Sequence, residues 1–113
     1  MQHPAFELTM PAGRTTGTIL ASPHSGRDYP RAFLRRSVLD QTVIRSSQDA
    51  FVDPLVADAP DHGVPLLTGR APRAFVDVNR GAEELDPALI RGVSRSAHNP
   101  MVSSGLGVIP RVV

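Results

Sequence analysis

The sequence contains no cysteine and no lysine. Without cysteine the chain has no disulfide bonds, no thiolate nucleophile and no thiolate metal site. All 12 basic residues are arginine, and 11 acidic residues leave a formal net charge of only +1. Because these arginines are scattered along the chain, neither nucleic acid nor an acidic membrane surface is an expected partner.

Long apolar runs are absent as well. No segment reaches the length of a membrane span, and the N-terminus lacks the basic-then-apolar pattern of a signal peptide. The 113 residues, 41% hydrophobic and 20% charged, are typical of one globular domain or a piece of one. We therefore expect a component of a cytoplasmic enzyme.

The pattern of apolar residues predicts an α/β sheet. The 11 prolines and 9 glycines leave little room for long helices. Strands are expected at residues 6–10, 15–21, 64–68, 74–79 and 108–113, and one or two helical turns at 31–36. The main helix is expected at residues 40–63. It is either kinked at Pro54 or split there, with Asp53 as the N-cap and Pro54 as the first helical residue.

Three groups of polar residues are candidates for chemistry. His24 follows an apolar strand in a Pro/Ser/Gly loop, where it could bind a metal or act as a base, or be an ordinary surface residue. Asp49 and Asp53 lie four apart and could supply a metal ligand and its orienting partner, or be solvated helix charges or a cap.

The third group comprises Arg73, Asn79 and Arg80, which frame the strand expected at 74–79. Arginine at a strand exit can hold a substrate carboxylate through two parallel hydrogen bonds, whereas Arg80 could instead pair with Asp77 or Glu83. The remaining histidines, His3, His62 and His98, are assigned no role.

Five blocks of sequence resemble the N-formylglutamate amidohydrolase family, in the order found there, from about Thr16 to the last residue. They are Ser22-Pro23-His24-Ser25-Gly26 with Tyr29-Pro30, Asp49-Ala50-Phe51-Val52-Asp53, Pro72-Arg73-Ala74-Phe75-Val76-Asp77-Val78-Asn79-Arg80, Leu85-Asp86-Pro87 and Gly105-Leu106-Gly107-Val108-Ile109-Pro110-Arg111.

The resemblance implies a fold and an activity. The fold is a three-layer α/β/α arrangement with a mixed central sheet, similar to zinc carboxypeptidases and phosphorylase/hydrolase-like proteins. The activity is metal-dependent hydrolysis of N-formyl-L-glutamate, or of another N-acyl amino acid, to the free acid and amine. In the glutamate case the products are formate and L-glutamate, at the end of one route of histidine degradation.

The resemblance also implies roles for single residues. His24 and an acid of the Asp49/Asp53 pair, with Asp49 favoured, correspond to ligands of zinc or another divalent metal. Asn79 and Arg80 correspond to residues that hold the substrate carboxylate, and Arg73 to one that polarises the scissile carbonyl.

The resemblance is incomplete. A catalytic zinc normally has three protein ligands, and the family's further histidine and general-base carboxylate lie beyond the last matching block. We therefore expect residues 1–113 to form a single incomplete domain, the N-terminal part of such an amidohydrolase, which alone lacks activity. Two alternatives stay open: a non-catalytic small-molecule-binding or interaction module derived from the same fold, and a second chain that supplies the missing half.

Overall fold

The computed structural model describes residues 3–94 and 99–112. His98 and Val113, which entered the sequence analysis, lie outside these residues. The fold is built on a three-stranded sheet of β1 (Phe6–Thr9), β2 (Leu20–Ser22) and β3 (Leu66–Gly69), in the order β1-β3-β2. The central strand β3 is antiparallel to β1 and parallel to β2, so the sheet is mixed, as expected.

Short helical segments connect β2 to β3. They are α1 (Arg31–Arg36), a 3-10 segment at Val43–Arg45, α2 (Val52–Val56) and a second 3-10 segment at Ala59–His62. The prediction of helical turns at 31–36 is confirmed. Gly63 ends the second 3-10 segment with a φ of 75°, a left-handed conformation that glycine adopts without steric cost. The chain then enters β3 as predicted, and a further helix, α3 (Pro100–Ser103), follows later.

The prediction of one helix over residues 40–63 is wrong, because this range contains three short helical segments. The Asp40 carboxylate accepts the backbone N–H groups of Thr42 and Val43, and only one 3-10 turn follows. Phe51, which precedes α2, has a φ of 67°, which no helix accommodates. The prediction of a split helix with Asp53 as the N-cap is also wrong, because α2 begins at Val52 and Asp53 lies inside it. Pro54 is then its third residue, where an N–H has no intrahelical partner in any case.

The predictions of strands at residues 74–79 and 108–112 are also wrong, since the structure has no strand there. The strand expected at 15–21 is reduced to β2, Leu20–Ser22. Residues 72–80 form turns instead, in which the N–H groups of Phe75 and Val76 both donate to the carbonyl of Pro72. The Asp77 side chain accepts the N–H of Asn79, and such local side-chain bonds compete with sheet pairing. One bond, from the Asp77 N–H to the Val108 carbonyl, links the two segments.

The buried apolar core is small. Among the described residues it consists of Ile44, Ala59, Leu66, Ala71 and Val102. No helix in residues 3–94 and 99–112 is long and apolar enough to cross a membrane. Four buried positions among the described residues carry polar side chains: Ser22, Ser25, Asp77 and Asp86.

Candidate functional site

The loop that follows β2 lies against the segment that follows β3. Because the two strands are parallel, their carboxyl ends meet at the same edge of the sheet. Two glycines allow the close approach: a Cβ on Gly26 would lie 2.1 Å from the Ala71 carbonyl oxygen, and one on Gly69 would lie 2.2 Å from that of Pro23. His24 is therefore brought next to the residues that follow β3.

His24 lies between two carboxylates that come from different segments. Its Nε2 is 2.8 Å from Oδ1 of Asp77, and its Nδ1 is 3.7 Å from Oδ2 of Asp49. The His24 side chain is 13% exposed, that of Asp77 2% and that of Asp49 50%. Nε2 of the imidazole thus contacts a buried acid, and Nδ1 is near a solvent-accessible one.

Asp77 is the centre of this arrangement. Its Oδ1 accepts from His24 Nε2 and from the N–H of Asn79, and its Oδ2 accepts from Nε of Arg73 at 3.2 Å. Burial opposes ionisation of the Asp77 carboxyl, but the hydrogen bonds from His24 and Asn79 and the charge of Arg73 outweigh it, so the pKa lies below its usual value. Asp77 is therefore an ionised carboxylate that accepts hydrogen bonds at both oxygens.

The ionised Asp77 fixes the tautomer of His24. A carboxylate can only accept, so Nε2 carries a proton, and in the neutral tautomer of the ring Nδ1 presents a lone pair. That lone pair faces the Asp49 carboxylate, which is also an acceptor, and two acceptors 3.7 Å apart are suited to hold a cation between them. The pair fits two ligands of a divalent metal, with Asp77 as the outer carboxylate that orients the histidine.

Among the described residues, no third ligand joins His24 and Asp49. In the part of the chain that the structure describes, no group of three or more His, Asp or Glu side chains could hold a metal ion. Asp53 pairs with Arg27 and lines a polar cleft of about 210 Å³ with Arg70, a cleft that neither His24 nor Asp49 lines. The role of Asp53 as a ligand stays a prediction.

The Arg73 guanidinium belongs to the same cluster. Its Nε donates to Asp77, the residue that also binds His24, and the Arg73 side chain is 22% exposed. Arg73 therefore anchors the carboxylate that orients His24. Its predicted role in polarising a carbonyl is not tested by this contact.

Asn79 and Arg80 follow directly, positioned by the same aspartate. The N–H of Asn79 donates to the Asp77 carboxylate, and the N–H of Arg80 donates to its backbone carbonyl. The Arg80 guanidinium is 3.9 Å from Glu84, rather than paired with Asp77 or Glu83, and its buried Nε has no hydrogen-bond partner among the described residues. An incompletely satisfied guanidinium of this kind is suited to bind a carboxylate.

Asp77 lies at the centre of the candidate site, although the sequence predicts no role for it there. The signal was present, because the predicted strand put Asp77 and Asn79 on the same face, opposite Val76 and Val78. From the sequence, this acid is expected only as a possible surface partner of Arg80. The structure places it instead against His24, 53 positions earlier in the chain.

The chain is similar to one family of known proteins. Residues 16–113 match the family model described as N-formylglutamate amidohydrolase. The fold is similar to the crystal structure of an N-formylglutamate amidohydrolase from Ralstonia eutropha JMP134, with a TM-score of 0.79 and 32% sequence identity. The similarity covers 94% of this chain but 38% of that one, so the chain spans well under half the length of that protein. No curated protein matches the chain.

Proposed function

The chain belongs to the N-formylglutamate amidohydrolase family, and on this premise we propose that it forms part of a hydrolase that cleaves N-formyl-L-glutamate to formate and L-glutamate. The reaction would serve histidine degradation. The three-stranded mixed sheet would be part of a larger three-layer α/β/α sheet of the zinc-carboxypeptidase type. The observation that carries the proposal is the position of His24 between Asp49 and Asp77.

In this proposal His24 and Asp49 hold a divalent metal, zinc or a similar ion. A bound zinc ion would supply a Lewis acid that polarises the formyl carbonyl and acidifies the attacking water. Asp77 keeps the proton on Nε2 of His24, which leaves Nδ1 free to bind the metal. Asp53, held by Arg27, is the weaker candidate ligand, because its carboxylate is already paired with a cation.

The substrate would be held by the arginine side of the site. Arg80 would bind a carboxylate of the glutamyl part through its guanidinium, with Asn79 beside it. Arg73, anchored by Asp77 at the same edge, would donate to the carbonyl oxygen as negative charge develops there. Both arginines are 22% exposed, so a small ligand could reach them from the surface.

The test is a chimera in which this chain replaces the matching 38% of the Ralstonia protein. The chimera should release formate from N-formyl-L-glutamate when zinc is present, as measured by a coupled formate dehydrogenase assay. His24→Ala should reduce the rate to background because it removes a metal ligand, whereas Arg35→Ala, an exposed change on α1, should not affect it. A folded, zinc-loaded chimera that releases no formate would disprove the proposed activity.

A second candidate is binding without turnover, which is favoured by the presence of two rather than three metal donors among the described residues. In that case the 113-residue chain would bind glutamate or N-formylglutamate by calorimetry and release no formate. Arg80→Ala should abolish the heat of binding. A chain that binds neither compound would remove this candidate.

A further inference from the structure

The Asp49 side chain is not held by a regular helix. It lies in a turn between the 3-10 segment Val43–Arg45 and α2, and its carboxylate is half-exposed. The turn leads into Phe51, whose left-handed backbone conformation is costly for an L residue and persists only where neighbouring structure enforces it. Contacts from elsewhere in the chain must therefore keep the Asp49 carboxylate next to His24.

Tyr29 makes such contacts on the side of the turn that precedes Asp49. The guanidinium of Arg45 lies over its ring, 4.2 Å from the ring centroid, and its hydroxyl donates to Oε1 of Gln48 at 3.3 Å. Burial raises the pKa of the Tyr29 phenol and outweighs the opposing charge of Arg45, so the hydroxyl keeps the proton that it donates. Gln48 is the residue immediately before Asp49.

A backbone hydrogen bond also links the turn that carries Asp49 to the loop that carries His24. The N–H of Asp49 donates to the carbonyl of His24 at 2.9 Å, which joins the two loops at the level of the candidate metal ligands. On the far side of the turn, Arg27 pairs with Asp53. The segment 45–53 is thus fastened to the segment 24–29 at both ends and in the middle, and Tyr29 supplies two of the fastening contacts.

We infer that Tyr29 is a positioning residue that, through Arg45 and Gln48, holds the turn presenting Asp49 to His24 and thereby sets the affinity of this pair for a divalent cation. The part that concerns the cation rests on the proposed function. The part that concerns the turn does not, because it depends only on contacts within the chain.

The experiment uses the 113-residue chain with two measurements. Zn²⁺ affinity is measured by calorimetry, and hydrogen exchange is measured by NMR at the Asp49 amide in the metal-free chain. The Leu20 amide, which donates to the Pro65 carbonyl within the sheet, serves as the reference for global opening. The variants are Tyr29→Phe, which removes the hydroxyl, and Arg45→Met, which removes the cation over the ring.

Both variants should weaken Zn²⁺ binding by about tenfold, the lower end of the effect of outer partners at metal sites. Both should also speed exchange at Asp49 without changing exchange at Leu20. Arg45→Lys keeps a cation for the ring and should restore much of the affinity. Arg35→Met, a matched loss of an exposed arginine on α1, should leave both measurements unchanged.

The inference fails if exchange at Asp49 is unchanged in both variants, or if Asp49 and Leu20 exchange faster together, since the effect would then be general destabilisation. Unchanged Zn²⁺ affinity despite faster Asp49 exchange would refute the link to the cation. If the unaltered chain binds no Zn²⁺ at all, the metal site of the proposed function is wrong. Exchange at Asp49 then still decides whether Tyr29 positions the turn.

Discussion

At the scale of single residues, two aspartates are buried among the described residues, and both are held by hydrogen bonds. Counted as whole residues, Asp77 and Asp86 are 1% and 3% exposed. The carboxylate of each accepts one bond from an arginine and one from the backbone N–H two residues further along the chain. Asp77 receives a further bond from His24. The same local motif therefore belongs to the candidate site in one case and binds the side chain of Arg111 in the other.

The role of Asp77 can be tested with a substitution of almost equal shape. Asp77→Asn keeps an acceptor oxygen but removes the charge that holds the proton on Nε2 of His24 and balances Arg73. We expect Zn²⁺ affinity to fall by roughly 10–100-fold in a calorimetric titration. Asp58→Asn, at an exposed acid of similar size, is the control. Equal affinities for Asp77→Asn and the unaltered chain would show that the buried carboxylate does not tune the histidine.

Asp86 gives a prediction about pH. The hydrogen bond from Arg111 and the N–H of Ala88 outweigh the effect of burial and keep the Asp86 pKa below its ordinary value. A carboxyl whose pKa is lower in the folded than in the unfolded chain adds stability above its unfolded pKa, and this stability is lost as the pH falls through the folded pKa.

Asp86→Asn should therefore lower the free energy of unfolding at pH 7, measured with urea. The difference from the unaltered chain should shrink as the pH falls below about 4, the ordinary pKa of an aspartate. Comparison with the variant isolates this carboxyl from the other acids that titrate in the same range. A difference that stays constant down to about pH 2 would contradict the prediction.

At the scale of secondary structure elements, the site depends on close contact between two loops rather than on long elements. The β2 and β3 strands have three and four residues, and α2 has five. His24 is delivered by the loop after β2, and Asp77 by turns after β3. The glycines that allow these loops to touch are therefore as important for the site as the strands that precede them.

Gly26→Ala tests this contact. The added Cβ would lie 2.1 Å from the Ala71 carbonyl oxygen, a backbone atom that cannot rotate away. We expect the free energy of unfolding to fall by about 1–3 kcal/mol, as for other overpacked interiors, and His24 and Asp77 to separate, with loss of Zn²⁺ binding. Gly17→Ala is the matched control, since a Cβ there meets nothing within 4 Å. Similar unfolding curves for the two variants would contradict the prediction.

At the scale of the whole molecule, the chain is extended and exposes much apolar surface. Its accessible surface is 7509 Å², against about 6,000 Å² for a compact domain of this size. Its radius of gyration is 15.9 Å, against about 13 Å. Exposed apolar side chains on and beside α2 include Phe51 and Leu55, at 74% and 79% exposure. A surface of this kind is typical of contact with further polypeptide.

This surface should bind a hydrophobic dye. We expect the isolated chain to enhance the fluorescence of anilinonaphthalene sulfonate, and Leu55→Ser to reduce the enhancement because it removes one of the most exposed apolar groups. Ala57→Ser, also on the surface, is the control. X-ray scattering should give a radius of gyration near 15.9 Å. A value near 13 Å without dye binding would mean that the chain packs more compactly in solution.

The sequence by itself determined the family and the small elements that local chemistry specifies. Five ordered blocks indicated the N-formylglutamate amidohydrolase family, and the match over residues 16–113 confirms it. The strand at the N-terminus, the helix at Arg31–Arg36 and the turn at Gly63 followed from apolar spacing and from glycine. These features depend on neighbours within a few positions, which the sequence displays directly.

The tertiary structure alone decided which polar residues meet. The periodicity of residues 40–63 favoured a helix, but the turn that carries Asp49 is imposed by contacts with Tyr29 and His24, some 20 positions away. Residues 74–79 alternated like a strand, but the Asp77 carboxylate was satisfied by His24, Arg73 and the Asn79 N–H rather than left to a polar strand face. Local patterns carry no information about such distant partners. The backbone around a buried carboxylate adopts the conformation that supplies its hydrogen-bond and charge partners.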